Sequence, residues 1–126
     1  MKSVPPVIAV VGPCAAGKTT LAETLTSWGY QVRQVAQEHS YVPDMWQVIT
    51  KPDFLIYLDV SYQTSISRSK NAWKESIFNC QIERLAHAKK HADLYLHTDN
   101  LTIKEIRQRV REALQPRFRL PEKNLS

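Results

Sequence analysis

The chain has 126 residues, a length for which a single domain is the expectation. With 43% hydrophobic and 23% charged residues and only 3 glycines, its composition is that of an ordinary globular protein, which excludes disordered, collagen-like and disulfide-rich classes. Its 17 Lys plus Arg against 12 Asp plus Glu give a formal charge of +5, which suits anionic partners such as nucleotides, phosphorylated metabolites or nucleic acid without choosing among them.

In chain order, Val7–Val11 is an unbroken, mostly β-branched apolar run, the signature of a strand buried on both faces of a parallel sheet, and it stops at Gly12. Lys18 to Trp28 places Leu21, Ala22, Leu25 and Trp28 at helical spacing, with Gly29 as the stop signal. Gln31 to Ala36 alternates polar and apolar residues and predicts a second strand nearer a sheet edge. Between Gln37 and Pro52 the pattern is weak; Asp44 there can cap a short helix through Ile49. Phe54 to Val60 predicts a third strand, and Ser61 can cap the helix that follows to Lys70. One longer helix is expected from Trp73 to His91, then a short strand over Asp93 to Thr98. Thr102-Ile103-Lys104-Glu105 reads as a capping box, opening a helix whose apolar stripe is Ile103, Ile106, Val110, Ala113 and Leu114.

Strands separated by helical stretches predict an α/β fold with a small, mainly parallel sheet of about four strands and helices on both faces. The most continuously apolar runs need cover on both sides, so the Val7–Val11 strand is expected in the centre, between Gln31 to Ala36 and Phe54 to Asp59. Positions 1–115 read as one domain and 116–126 as a loosely ordered tail. The 2 cysteines, Cys14 and Cys80, show no paired metal-ligand spacing and are read as reduced thiols. The Val7–Val11 run is far shorter than the ~20 apolar residues of a membrane helix. A cytoplasmic protein without membrane association is the expectation.

One motif carries chemistry. Gly12-Pro13-Cys14-Ala15-Ala16-Gly17-Lys18-Thr19 matches the phosphate-loop pattern G-x-x-x-x-G-K-[ST], between a predicted strand and a predicted helix as that loop requires. Its glycines let successive N–H groups through Thr20 face phosphate oxygens; Lys18 neutralises the β- and γ-phosphates, and Thr19 offers a hydroxyl to Mg²⁺. This points to ATP or another nucleoside triphosphate with Mg²⁺. Glu38 and His39 follow the second strand, at the sheet edge where ligands collect in open α/β sheets, and are placed to meet substrate or metal, or else to form a solvated loop. Asp59 ends a buried strand and is either a Mg²⁺ carboxylate of the Walker B kind or a hydrogen-bonded structural group. Arg68, Lys70, Lys74 and Arg84 can either fold over a triphosphate or form a solvated basic face. His87, His91 and His97 receive no role.

These residues resemble the P-loop kinases of nucleotides and small metabolites, the adenylate, thymidylate and shikimate kinase groups, over most of the chain. The likeness rests on the phosphate loop, on Phe54 to Val60 followed by Arg68, and on His91 to Asp99 followed by an amphipathic helix. It implies the P-loop NTPase three-layer architecture, Arg68 near the adenine, Thr98-Asp99-Asn100 as the loop against which the base rests, and Glu38 as the acidic residue that some nucleoside and thymidylate kinases carry after their second strand. The family pattern does not usually make the residue at Asp59 a metal ligand. Only Gln37 to Asp53 stands where the family inserts a further strand and a substrate-binding segment, and the lid is minimal. Two functions follow: a reduced small-molecule kinase moving the γ-phosphoryl group of ATP to a nucleotide or metabolite, with Lys18 and Glu38 catalytic, or a nucleotide-binding module or weak ATPase that acts as a homo-oligomer or with a protein partner. Nucleic-acid binding ranks last, since the basic helices lack interleaved aromatics.

Overall fold

In the computed structural model, which describes residues 6–69 and 74–118, the chain forms an α/β domain around a four-stranded sheet. The strands are β1 (Val7–Val11), β2 (Gln31–Gln34), β3 (Phe54–Asp59) and β4 (Leu94–His97), in the order β2-β1-β3-β4 with every neighbouring pair parallel. Ile8 pairs with Val32 on one side and Phe54 on the other, so the most apolar strand is central as its composition demands.

Alternation along β1 and β3 feeds two separate cores. Ile8, Val10, Phe54, Ile56 and Leu58 pack on one face under Leu21 and Leu25 of α1 (Lys18–Ser27) and Val110 and Leu114 of α6 (Ile103–Leu114). Ala9, Val11, Leu55 and Tyr57 pack on the other, under Trp46 of α2 (Met45–Thr50) and Ala88 of α5 (Ala86–His91). Aspartates preceding two strands fix their starts: Asp53 accepts from Val7 N–H at 2.7 Å, and Asp93 accepts from Leu55 N–H at 2.8 Å.

The structure corrects several boundaries. The segment from Gln37 to Pro52 contains a 3₁₀ turn (Gln37–His39) and α2; Asp44 occupies the N-cap position of α2 but its side chain makes no cap bond. The helix after β3, α3, spans Tyr62–Arg68, with Ser61 as its cap accepting from Thr64 N–H; Lys70 and Trp73 lie outside the described residues. The single helix expected from Trp73 to His91 is instead α4 (Glu75–Arg84) and α5, broken at Leu85, where φ is −92° and ψ −5°. The break has a packing cause. Phe78 and Ile82 belong to one core and Leu85 to the other, so α4 crosses the carboxyl ends of the strands from face to face and the chain must redirect before α5. β2 ends two residues early because Ala36 leaves the extended region (φ −79°, ψ 52°) to enter the 3₁₀ turn.

The chain stays on the core past the expected domain end. Phe118 packs edge-to-face on Phe54 with ring centroids 6.0 Å apart, and residues 119–126 of the expected tail lie outside the described residues. Among the described residues no helix is long and apolar enough to cross a membrane. The capping box forms as expected: Thr102 Oγ1 accepts from Glu105 N–H and Glu105 accepts from Thr102 N–H. Thr102→Ala should therefore cost about 1 kcal/mol, measured by urea unfolding. The Thr102 N–H bond holds the Glu105 carboxyl below its ordinary range, so the cap is complete at neutral pH and weakens as pH falls through that lowered value.

Candidate phosphate-binding site

The turn from β1 into α1 is shaped by residues with positive φ. Gly12 (φ 155°) lies against β3, where an added Cβ would stand 2.1 Å from the Leu58 carbonyl oxygen. Ala15 (φ 66°) and Gly17 (φ 104°) adopt left-handed backbone, and Gly17 sits at the N-cap of α1. The first helical carbonyl bond is Leu21 N–H to Gly17 O at 3.1 Å, and the amides before it in the first turn have no partner further along a helix.

Scaffold side chains capture the carbonyls of this loop. Ser65 Oγ donates to Cys14 O at 3.0 Å, Arg68 Nη1 to Ala15 O at 3.2 Å, and Thr98 Oγ1 to Ala16 O at 3.2 Å. Gln81 Oε1, on the crossing helix α4, accepts from Cys14 N–H at 3.1 Å. Consecutive carbonyls are turned toward α3 and the end of β4, and beyond Ala16, whose N–H donates to Pro13 O at 3.3 Å, the amides of Gly17 to Thr20 at the opening of α1 are the donors an anion would meet.

Lys18, the first residue of α1, reaches back to the start of this loop. Its Nζ donates to Gly12 O at 2.6 Å and forms an ion pair with Glu38 Oε2. The two side chains are only 13% and 6% exposed, so the pair is buried and each partner compensates the other's charge. Arg84 Nη1 donates to the Glu38 carbonyl at 3.3 Å, fixing the 3₁₀ turn, while Glu38 Oε1 is buried with no hydrogen-bond partner among the described residues. Tyr57 lies deep behind the pair; burial first, then the charges of Asp59, Tyr95 and Glu38, push its phenol well above the ordinary value. Thr19 is exposed at the opening of α1 and donates to Gln34 Oε1 at 3.1 Å; Thr20 beside it is exposed as well.

The remaining residues singled out in the sequence divide. Arg68 joins the loop to β4, donating to Thr98 O at 2.7 Å and Thr98 Oγ1 at 3.1 Å. It also lines a cavity of about 360 Å³ with Ala15, Gly17, Thr20, Leu101 and Ile106. Thr98 supports that cavity's wall from below, fully buried, but Asp99 and Asn100 do not line it; the neighbouring Leu101, Thr102 and Ile103 do. Asp99 instead accepts from Ser61 N–H at 2.9 Å; although burial works the other way, the Ser61 bonds, His97 and Thr64 hold its carboxyl below the ordinary range. Asp59 has protein partners on both oxygens: Tyr95 OH donates to Oδ2, Val60 N–H donates to Oδ1 at 2.9 Å, and Lys89 stands 4.0 Å away. Burial and this bond to Asp59 push the Tyr95 phenol above its usual value. Lys74 is exposed at the N-cap of α4.

Sequence reasoning missed Ser65 and Gln81, which hold the loop. Their signal is a polar residue at a buried position of an amphipathic helix, 0% and 4% exposed. Set against known proteins, the chain matches no family profile, and a search of curated proteins gives no significant match.

Proposed function

We propose that the chain is a P-loop nucleotide-binding protein that takes ATP and Mg²⁺ on the Gly12–Thr19 loop and transfers the γ-phosphoryl group to a small acceptor. The observation that carries this reading is the buried Lys18–Glu38 pair at the mouth of the loop, a cation and a carboxylate held where the β- and γ-phosphates of a bound nucleotide would lie. The parallel sheet, its covered faces and the strand-loop-helix order support the P-loop NTPase architecture.

The donor set fits Mg²⁺, which binds through one or two protein oxygens and otherwise through phosphate and water. The Thr19 hydroxyl would hold it, and the ion would supply charge neutralisation to the phosphates. The Asp59 carboxylate, taken up by Tyr95 and Val60, favours its structural reading. The protein's own part is positioning. Loop amides bind the phosphates, Lys18 turns from Gly12 O and Glu38 to the transferred group, and Glu38 is released beside the acceptor, where it can take a hydroxyl proton. The cavity behind Arg68, of a size ordinary for small-ligand sites, would take the base.

A second reading, a binding module whose partner completes the site, draws on the short 37–52 segment. It offers the exposed side chains Tyr41, Val42 and Val48 rather than an enclosed acceptor pocket. Isothermal titration with ATP and Mg²⁺, then a phosphoryl-transfer screen over nucleotides and metabolites, separates the two: binding with transfer supports the kinase, binding without transfer the module, and no binding overturns both. Arg68→Ala should weaken ATP binding about tenfold, the worth of a charged hydrogen bond. GTP binding should weaken equally, because the hydrogen bonds of Arg68 go to Ala15 and Thr98 and it acts by holding the loop. Unequal losses would make Arg68 a reader of the base.

A further inference from the structure

The phosphate loop of this chain carries a cysteine, and the fold brings that cysteine against the turn after β2. Cys14 Sγ stands 3.9 Å from His39 Nε2, His39 Nε2 stands 3.9 Å from Glu38 Oε2, and one ligand atom from each of these residues lies within 4.8 Å of the others. Ligands at the ~2.0–2.3 Å bonds of a tetrahedral zinc ion sit about 3.5 Å apart, so side-chain movements of at most about 1.3 Å close the triangle. We propose that Cys14, Glu38 and His39 form a transition-metal site at the rim of the loop, with Zn²⁺ as the fitting ion.

The donor set selects the metal. A thiolate, an imidazole and a carboxylate suit Zn²⁺ or Co²⁺, whereas Mg²⁺ takes hard oxygen ligands. Three protein ligands leave a fourth position for water or a phosphate oxygen, the pattern of an exchangeable ion rather than a closed structural one. Access and spare capacity are present. The His39 side chain is 58% exposed and gives a path from solvent, and the buried Glu38 Oε1 has no hydrogen-bond partner among the described residues, so Lys18 does not exhaust the carboxylate. Lys18 is the competitor, since its ammonium shares Glu38 with the ion and repels it. Zinc therefore draws Glu38 away from Lys18, and a ligand that draws Lys18 away strengthens zinc binding. The site itself stands on geometry and does not rest on the nucleotide reading.

The test uses the full chain carrying Cys80→Ser, in which Cys14 is the remaining thiol. Zn²⁺ is titrated against a chromophoric chelator, and Co²⁺ is followed by absorption. The expected result is one Zn²⁺ per chain, undisturbed by excess Mg²⁺, and a thiolate-to-Co²⁺ charge-transfer band in the near ultraviolet. Cys14→Ser should abolish the band, and His39→Ala, at an exposed position, should weaken Zn²⁺ more than about tenfold. The stacked His87 and His91 rings, 4.3 Å apart, are the alternative place for an imidazole-bound ion. Retention of no Zn²⁺, displacement by Mg²⁺, or binding that survives Cys14→Ser and His39→Ala but falls with His91→Gln would each overturn the proposal.

Discussion

Gly12→Ala should cost more than about 4 kcal/mol, a loss placed among the rare large effects of single substitutions. The added Cβ would stand 2.1 Å from the Leu58 carbonyl oxygen and 3.1 Å from its carbonyl carbon, both backbone atoms of β3. That strand cannot yield. It is paired on both sides, its residues Ile56, Tyr57 and Leu58 are fully buried, and its two faces serve both cores. The positive φ of 155° adds strain for any side chain. Gly17→Ala makes the internal comparison, because nothing lies within 4 Å of its added Cβ and only the left-handed φ of 104° opposes it. It should cost about 1–2 kcal/mol. Urea unfolding of both variants measures the difference; a Gly12→Ala protein as stable as Gly17→Ala would mean that the loop does not pass against β3.

The parts of this structure visible in the sequence are those fixed by local periodicity. Val7–Val11 and Phe54 to Leu58 are apolar at successive positions, and only strands covered on both faces bury such runs, so the central place of β1 follows from composition. The Thr102–Glu105 box likewise needs only its own turn of helix. What stayed hidden depends on contacts between distant segments. The break at Leu85 arises because α4 passes from one core to the other, and nothing in the sequence near Leu85 marks which face each neighbour meets. Gln81 and Ser65 could be seen only as polar residues in otherwise ordinary helices until Cys14 was placed beside them. For the candidate site, position on the sheet's carboxyl edge was enough to single out Glu38 but not to give it a partner. Nor does the sequence show that Asp99 is drawn back to Ser61, or that Leu101, Thr102 and Ile103 wall the cavity beside Arg68.

Lys18→Ala should have two separable effects, because Lys18 has two partners of different kinds. In the unliganded protein it compensates a carboxylate that is 6% exposed. Removing it leaves that buried charge without its lysine, which should destabilise by about 3 kcal/mol, the low end for breaking a buried pair. Adding Glu38→Gln removes the orphaned charge while nearly keeping its shape, so the double variant should regain most of that stability. In the nucleotide complex Lys18 would serve the phosphates, and no change at Glu38 can replace its charge there. ATP affinity, followed by titration and by ATP-dependent thermal stabilisation, should therefore fall roughly 10- to 150-fold in Lys18→Ala and stay low in the double variant. Recovery of stability without recovery of affinity is the pattern that identifies Lys18 as a phosphate ligand rather than only half of a structural ion pair; unchanged ATP affinity in Lys18→Ala would place the nucleotide elsewhere. Glu38→Gln alone completes the argument. It releases Lys18 to the loop while Gly12 O still receives its Nζ, so ATP binding should hold or tighten. Phosphoryl transfer should fall at least about 100-fold if the carboxylate takes the acceptor proton. Transfer at the wild-type rate in that variant would remove Glu38 from the chemistry and leave it as the resting partner of Lys18.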